Sequence, residues 1–253
     1  FTRMTERLLA ACRDGTDVLF NFPSDALLPG LAKFDWDVVG DVPASYRIQH
    51  PESLLSDHDA GSAPVRHQLL SGAETVTRRG LNVLERFGSA PSDVTVERHE
   101  TVPVETLAER YASAPPAALH VPRTEPFLRW RFANPRWETL TYLAVRDGDP
   151  VASVVTATER LNHTTRTLLL DYQPMGGAAG CASAFEALLA RVVAEHRDTD
   201  LLKLPGNFRP RLLRRYGFLT DSTFPLSRLT KASTHAVRPV SPDLQPATPG
   251  GDW

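Results

Sequence analysis

Gln173-Pro174-Met175-Gly176-Gly177-Ala178 is the stretch of this chain whose residue types best suit chemistry. It follows the apolar run TLLLDY and precedes a segment of helical period, so two adjacent glycines fall where a strand turns into a helix. Glycine lets a backbone approach a phosphate closely, and the free N–H groups of a helix N-terminus meet its charge. Pro174 removes one such donor. A turn of this kind also arises for steric reasons alone, and both readings stand. Downstream, Arg209, Arg211, Arg214 and Arg215 crowd a short segment before Gly217, where they suit phosphates or an acidic partner, or form a solvated face.

Other candidates carry less. Asp57-His58-Asp59 are neighbours in a loop, where side chains rarely converge on one ion, and no second histidine group shares a ligand spacing. His99, His163 and His196 are scattered, and none stands in a general-base pattern. There is no G-x-S-x-G elbow, and Cys12 and Cys181 have no catalytic signature, which excludes the familiar covalent hydrolase patterns.

The elements that must position these residues follow in a definite order. The alternation in VTVERHE predicts a strand from Val94, and Pro103 sits at the N1 position of a helix over VETLAERY. Thr124 predicts the cap of a second helix, with Glu125 and Pro126 in its first turn and Asn134-Pro135 as its stop. Three runs rich in Thr, Val, Leu and Tyr come next, TLTYLAVR, VASVVTATER and TRTLLLDYQ, separated by Asp147-Gly148 and Asn162-His163. They read as an antiparallel meander. A helix over 182–196, the strand LLKLP, a short helix NFRPRLLRRYGF and a last strand or two over 219–229 complete the order β α α β β β α β α β.

Over residues 94–229 this order resembles the GCN5-related N-acetyltransferase (GNAT) fold, an α/β (α+β) class with a mixed, mostly antiparallel sheet flanked by helices. The residues that carry the likeness are the 173–178 loop, which fits the family's Q/R-x-x-G-x-G/A pattern, and Tyr216-Gly217-Phe218, which is similar to its closing Tyr-x-x-x-Gly-Phe. The family's tyrosine, four residues before the glycine, falls here on Leu213, and Tyr216 stands beside Gly217. What the resemblance implies is acyl transfer from acetyl-CoA or another acyl-CoA to a small-molecule or peptide amine. The coenzyme would sit in the splay between the fourth and fifth strands, with Leu170, Tyr172, Gln173, Gly176, Gly177, Ala178 and Asn207 as its binding positions. Backbone N–H groups near Leu170 would polarise the thioester carbonyl, and Tyr216 is the phenol available as acid. The FLRWRF helix would border the acceptor side. Its Trp130, Arg129 and Arg131 would line a cleft there, or at least two of Phe127, Trp130 and Phe132 would pack in the core. Leu213 and Pro174 favour an alternative, a degenerate non-catalytic GNAT-like binding or dimerisation module. The related aminoacyl transferases with paired GNAT-like domains give a weaker third reading, and nothing in the chain identifies a tRNA.

The chain also repeats itself. LLAACRDGTDVLFNFP lies over VVAEHRDTDLLKLP, pairing Arg7, Arg13 and Asp17 with Arg191, Arg197 and Asp200; FDW at 34–36 lies over YGF at 216–218, Asp35 takes the place of Gly217, and Arg47 falls near Arg228. Two copies of a unit this long point to a duplicated domain. Phe1, Met4, Leu8, Leu9 and Cys12 recur at helical spacing with no cap before them, so the first copy is expected to begin upstream. The expected division is 1–50 as the back half of a first GNAT-like unit, 51–92 as a loop and connecting helix, 93–235 as a complete unit, and 236–253, rich in Pro and Gly, as a disordered tail.

Bulk composition agrees with an ordinary globular protein: 253 residues, 42% hydrophobic and a net charge of -2. That charge argues against a dedicated nucleic-acid binder, and no apolar run approaches the roughly 18 residues that a membrane span needs. Two cysteines cannot make a disulfide framework and suit a reducing cytoplasm.

Overall fold

Thr, Val, Leu and Tyr alternate through 138–174 because each strand buries a different layer on each face, and the strands pair as a long meander. The computed structural model describes residues 2–12, 16, 18–50, 93–113, 123–161, 164–174, 181–206, 209–223 and 233–240. In chain order its elements are α1 (Thr2–Ala11), β1 (Val18–Asn21), α2 (Leu28–Ala32), β2 (Asp37–Val42), β3 (Ala44–Ile48), β4 (Thr95–His99), α3 (Val104–Ser113), α4 (Glu125–Phe132), β5 (Glu138–Arg146), β6 (Asp149–Leu161), β7 (Thr164–Pro174), α5 (Cys181–Glu195), β8 (Leu201–Pro205), α6 (Pro210–Arg215), β9 (Leu219–Thr220) and β10 (Ser233–Pro239).

The large sheet runs β4-β5-β6-β7-β8-β3-β9 and is antiparallel throughout except where β7 and β8 run parallel. Its turns obey local chemistry. Asp147 and Gly148 both take positive φ (53° and 86°), the pair a two-residue hairpin of matching twist requires. Thr124 caps α4, its hydroxyl accepting from Phe127 N at 3.4 Å. Helix α5 buries Phe185, Leu188, Leu189 and Val192 against Tyr142, Val154, Leu169 and Leu202 on one face of the sheet. On the other, Leu107 of α3 and Leu128 of α4 are fully buried against Leu143 and Val155. Each such side chain contributes about 1.5–3 kcal/mol through its burial.

A second, three-stranded sheet, β1-β10-β2, joins two strands from the N-terminal part of the sequence to β10. The order α1-β1-α2-β2 repeats in α5-β8-α6-β9, and the helix ends match as well, since Asp35 and Gly217 both take the left-handed conformation (φ 57° and 76°). Each repeat holds a strand of the other. β3, which follows the first repeat, lies between β8 and β9, and β10, which follows the second, lies between β1 and β2.

This exchange corrects the expected division of the chain. A boundary at residue 50 leaves β3 with the first unit, yet Ala44 to Ile48 pair with Pro205 to Leu201 and complete the large sheet. The disordered tail expected from 236 begins inside a strand, because β10 runs to Pro239 and Asn21 faces Ala236. The β-branched Thr234 and Val237 suit that strand, and its proline falls at the end, where a missing N–H costs least. The exchanged strands also settle the arginine pairing. Arg47 of β3 donates from Nη1 to the carbonyl of Tyr216 at the end of α6, and Arg238 of β10 reaches Asp35 at 3.8 Å, so Arg238 is the counterpart of Arg47. Residue 228, the connecting helix expected within 51–92 and the Asn162-His163 turn lie outside the described residues, although Leu161 and Thr164 face each other across that turn. Among the described residues, no helix is long and apolar enough to cross a membrane.

Candidate functional site

β7 and β8 pair only over three residues, Arg166 to Leu168 with Leu201 to Lys203. Beyond them β8 stays with β3, Leu204 opposite Ser45 and Pro205 opposite Ala44, and β7 stays with β6. The two strands therefore splay into a wedge walled by residues 169–174 on one side and 204–205 on the other. On the β6 side of that wall the ladder slips: Val155 faces Asp171, Thr156 faces Leu169, and Leu170 is the extra residue of a β-bulge. A bulge residue has no ladder partner, and the bulge re-aims the side chains that follow.

The re-aiming divides the next residues between the faces of the sheet. Tyr172 turns to the α5 side and packs edge-on against Phe185, ring centroids 4.5 Å apart. Asp171 shares its face with Val155, towards α3 and α4, and there meets Arg123, whose Nε and Nη2 donate to its two oxygens at 3.0 Å each. The Tyr111 hydroxyl donates to the same carboxylate at 3.4 Å, and the Arg123 guanidinium lies 5.2 Å from the Tyr111 ring centre. Burial first, and the Asp171 carboxylate second, push the Tyr111 phenol well above its ordinary pKa. Sequence reasoning missed this cluster. Its members come from α3, β7 and the residue ahead of the α4 cap, 48 and 60 residues from Asp171, and no local spacing joins them.

At the far side, α6 closes with Gly217 N donating to Arg214 O at 3.0 Å and Phe218 N to Leu213 O at 2.9 Å. Leu213, at the position where a tyrosine would be expected, is buried in the core on the α5 side. Tyr216 is buried too, and its phenol, hydrogen-bonded to the Glu186 carboxylate of α5, is pushed up to about 12, first by burial and then by that charge. Arg215 also engages Glu186, at 2.6 Å. Of the four arginines near α6 one is therefore committed to an ion pair, and Arg209, Arg211 and Arg214 are exposed.

Of the expected binding positions, Leu170, Tyr172 and Gln173 line β7 along the wedge, Leu170 as the bulge residue itself. Gly176, Gly177, Ala178 and Asn207 lie outside the described residues. In the FLRWRF helix, Phe127 and Phe132 pack on the Leu107–Leu128 cluster while Trp130 is 72% exposed. His196 belongs to the interior: its ring meets Tyr142 Oη at 3.1 Å and Thr167 Oγ1 at 3.3 Å, and burial holds its pKa below the ordinary value. Among the described residues no group of His, Cys, Asp or Glu is arranged to hold a metal ion.

Comparison with solved structures agrees with this architecture. A GCN5-related N-acetyltransferase from Anabaena variabilis superposes with a TM-score of 0.56 at 10% identity, over 94% of this chain and 50% of that one. A conserved Enterococcus faecalis protein does so with a TM-score of 0.55 at 11% identity, over 94% and 49%. The chain thus has the GNAT fold and spans about half the length of these two structures. No protein-family model matches it, and no curated protein does.

Proposed function

We propose that the chain is an acyl-CoA-dependent N-acyltransferase whose reaction centre is the wedge between β7 and β8. The observation that supports this reading is the coincidence of wedge and bulge: Leu170 leaves the ladder two residues after β7 parts from β8. The wedge gives an extended acyl-pantetheine arm a strand edge to lie along, and the Leu170 N–H, at the bulge, would donate to the thioester oxygen. A preorganised donor of that kind contributes about 3–4 kcal/mol as negative charge develops on the oxygen. The acceptor nitrogen, once neutral, forms a C–N bond to the carbonyl carbon as the C–S bond breaks. Its surplus proton leaves to a base, and the released thiolate takes a proton from water or from Tyr216. Gly176, Gly177 and Ala178 would hold the pyrophosphate, with Asn207 beside the coenzyme. A cytoplasmic setting belongs to the same reading, since Cys12 is a free thiol.

Calorimetry with acetyl-CoA tests the site. Gly176→Val should weaken binding at least tenfold, about 1.4 kcal/mol, because a branched side chain blocks the approach of backbone to phosphate. Equal affinity in the variant would overturn the assignment. Failure of the unaltered protein to bind acetyl-CoA would turn the reading to a non-catalytic GNAT-like module, which the buried Leu213 and the commitment of Tyr216 to Glu186 favour.

A further inference from the structure

Arg123 fills a seat that its surroundings build for a cation. Asp171 presents both carboxylate oxygens to Nε and Nη2 at 3.0 Å each, and the Tyr111 ring forms the wall beside the guanidinium at 5.2 Å. Two acceptors side by side next to an aromatic face select a flat guanidinium over a compact ammonium. The side chains of Arg123 and Asp171 keep 25% and 14% of their surface, so the pair is sheltered yet reachable from solvent. Arg123 stands one residue before the cap of α4, outside the helix, and can leave without unwinding it. The seat also adjoins the bulge, Asp171 following Leu170 at a Cα spacing of about 3.8 Å.

We propose that Tyr111 and Asp171 form a recognition seat for an acceptor amine that carries a guanidinium group, and that Arg123 is an internal placeholder which such an acceptor displaces. This rests on the wedge being the site of acyl transfer. The placeholder keeps the Asp171 carboxylate paired between encounters, since a sheltered charge left without a partner is disfavoured.

Two probes of one shape separate charge from fit: agmatine, a primary amine with a guanidinium, and N-(4-aminobutyl)urea, which keeps the amine and has a neutral urea in place of the guanidinium. By calorimetry without acetyl-CoA, Arg123→Ala should bind agmatine at least tenfold more tightly than the unaltered protein. The urea should gain nothing, and adding Asp171→Asn should remove the gain. Arg123→Met, which keeps the aliphatic volume, should show the same gain and guards against an unfolded alanine variant. With acetyl-CoA present, the unaltered protein should favour agmatine over the urea in kcat/KM, and Arg123→Met should lower KM for agmatine more than it changes kcat. Folded variants that bind agmatine no better than the unaltered protein, or a gain that survives Asp171→Asn, would overturn the seat. Absence of acetyl-CoA binding would sink the acyl-transfer reading instead, and the calorimetric comparison would still decide the seat.

Discussion

Replacing Tyr216 by phenylalanine should lower the turnover number less than about tenfold. General acid catalysis supplies about 100- to 10,000-fold when the donor is matched to the group it protonates, which is about 3–5 kcal/mol. Tyr216 is poorly matched. Its pKa of about 12 stands roughly 3.5 units above the ordinary thiol value of about 8.5, so handing its proton to a coenzyme thiolate is uphill by about 5 kcal/mol. The mismatch consumes nearly everything the acid could contribute. Glu186 supplies part of it, through its charge and its hydrogen bond to the phenol, so Glu186→Gln should bring the phenol down and raise turnover if Tyr216 is the acid. In a Tyr216→Phe background the same change should do nothing. The assay is thiol release from acetyl-CoA with a panel of amines between pH 6 and 10, with acetyl-CoA affinity measured beside it. A loss of 100-fold or more in Tyr216→Phe at unchanged affinity would refute the mismatch, and a fast unaltered enzyme with a simple amine would contradict the slow reaction expected from Leu213.

Burial holds His196 below its ordinary pKa of 6.5, so the unfolded chain takes up that proton first. Stability should therefore fall as pH drops below about 6.5, and His196→Gln should flatten urea midpoints measured between pH 7.5 and 5. Arg47, fully buried, is pushed down from 12.5 to about 10, first by burial and then by Arg197, a cost of roughly 3 kcal/mol at neutral pH. Arg47→Met should therefore come out within about 1.5 kcal/mol of the unaltered protein, because relief of that cost offsets the lost hydrogen bonds to Tyr216 and Gln49. Arg47→Ala should cost a further 2–3 kcal/mol through the cavity it leaves, as read by urea unfolding.

The parts of the fold written in short-range chemistry were legible in the sequence. Thr124 as a cap, Asp147-Gly148 as a hairpin and the meander each depend on residues within one or two turns of each other. The correspondence of Asp35 with Gly217 was legible because the same helix ending makes the same demand on φ twice. What escaped depends on partners far apart in the chain. Ala44 hydrogen-bonds Asp221 across 177 positions, and nothing in ASYRI marks it for the other repeat. β10 escaped because proline and glycine content, averaged over the last residues, hid a short run from Ser233 to Arg238 that the register shift at His235 and Ala236 leaves without a clean alternation. At the site, the bulge at Leu170 was half legible. A donor was expected there, but the pairing of Asp171 with Arg123 needs a one-residue slip in register that sequence alone does not reveal.

The reciprocal placement of β3 and β10 dictates when this protein can finish folding. During synthesis β1 and β2 emerge long before the strand that lies between them, Ser233–Pro239. Until then both present bare edges, the surface on which chains aggregate. β3 must wait as well, idle until Leu201–Pro205 has left the ribosome. At about 5–20 residues per second that wait lasts roughly 8–30 s, within which a chaperone has reason to bind. Neither repeat is a self-sufficient folding unit, so cutting the chain between them should leave two insoluble pieces that recover solubility only when made together.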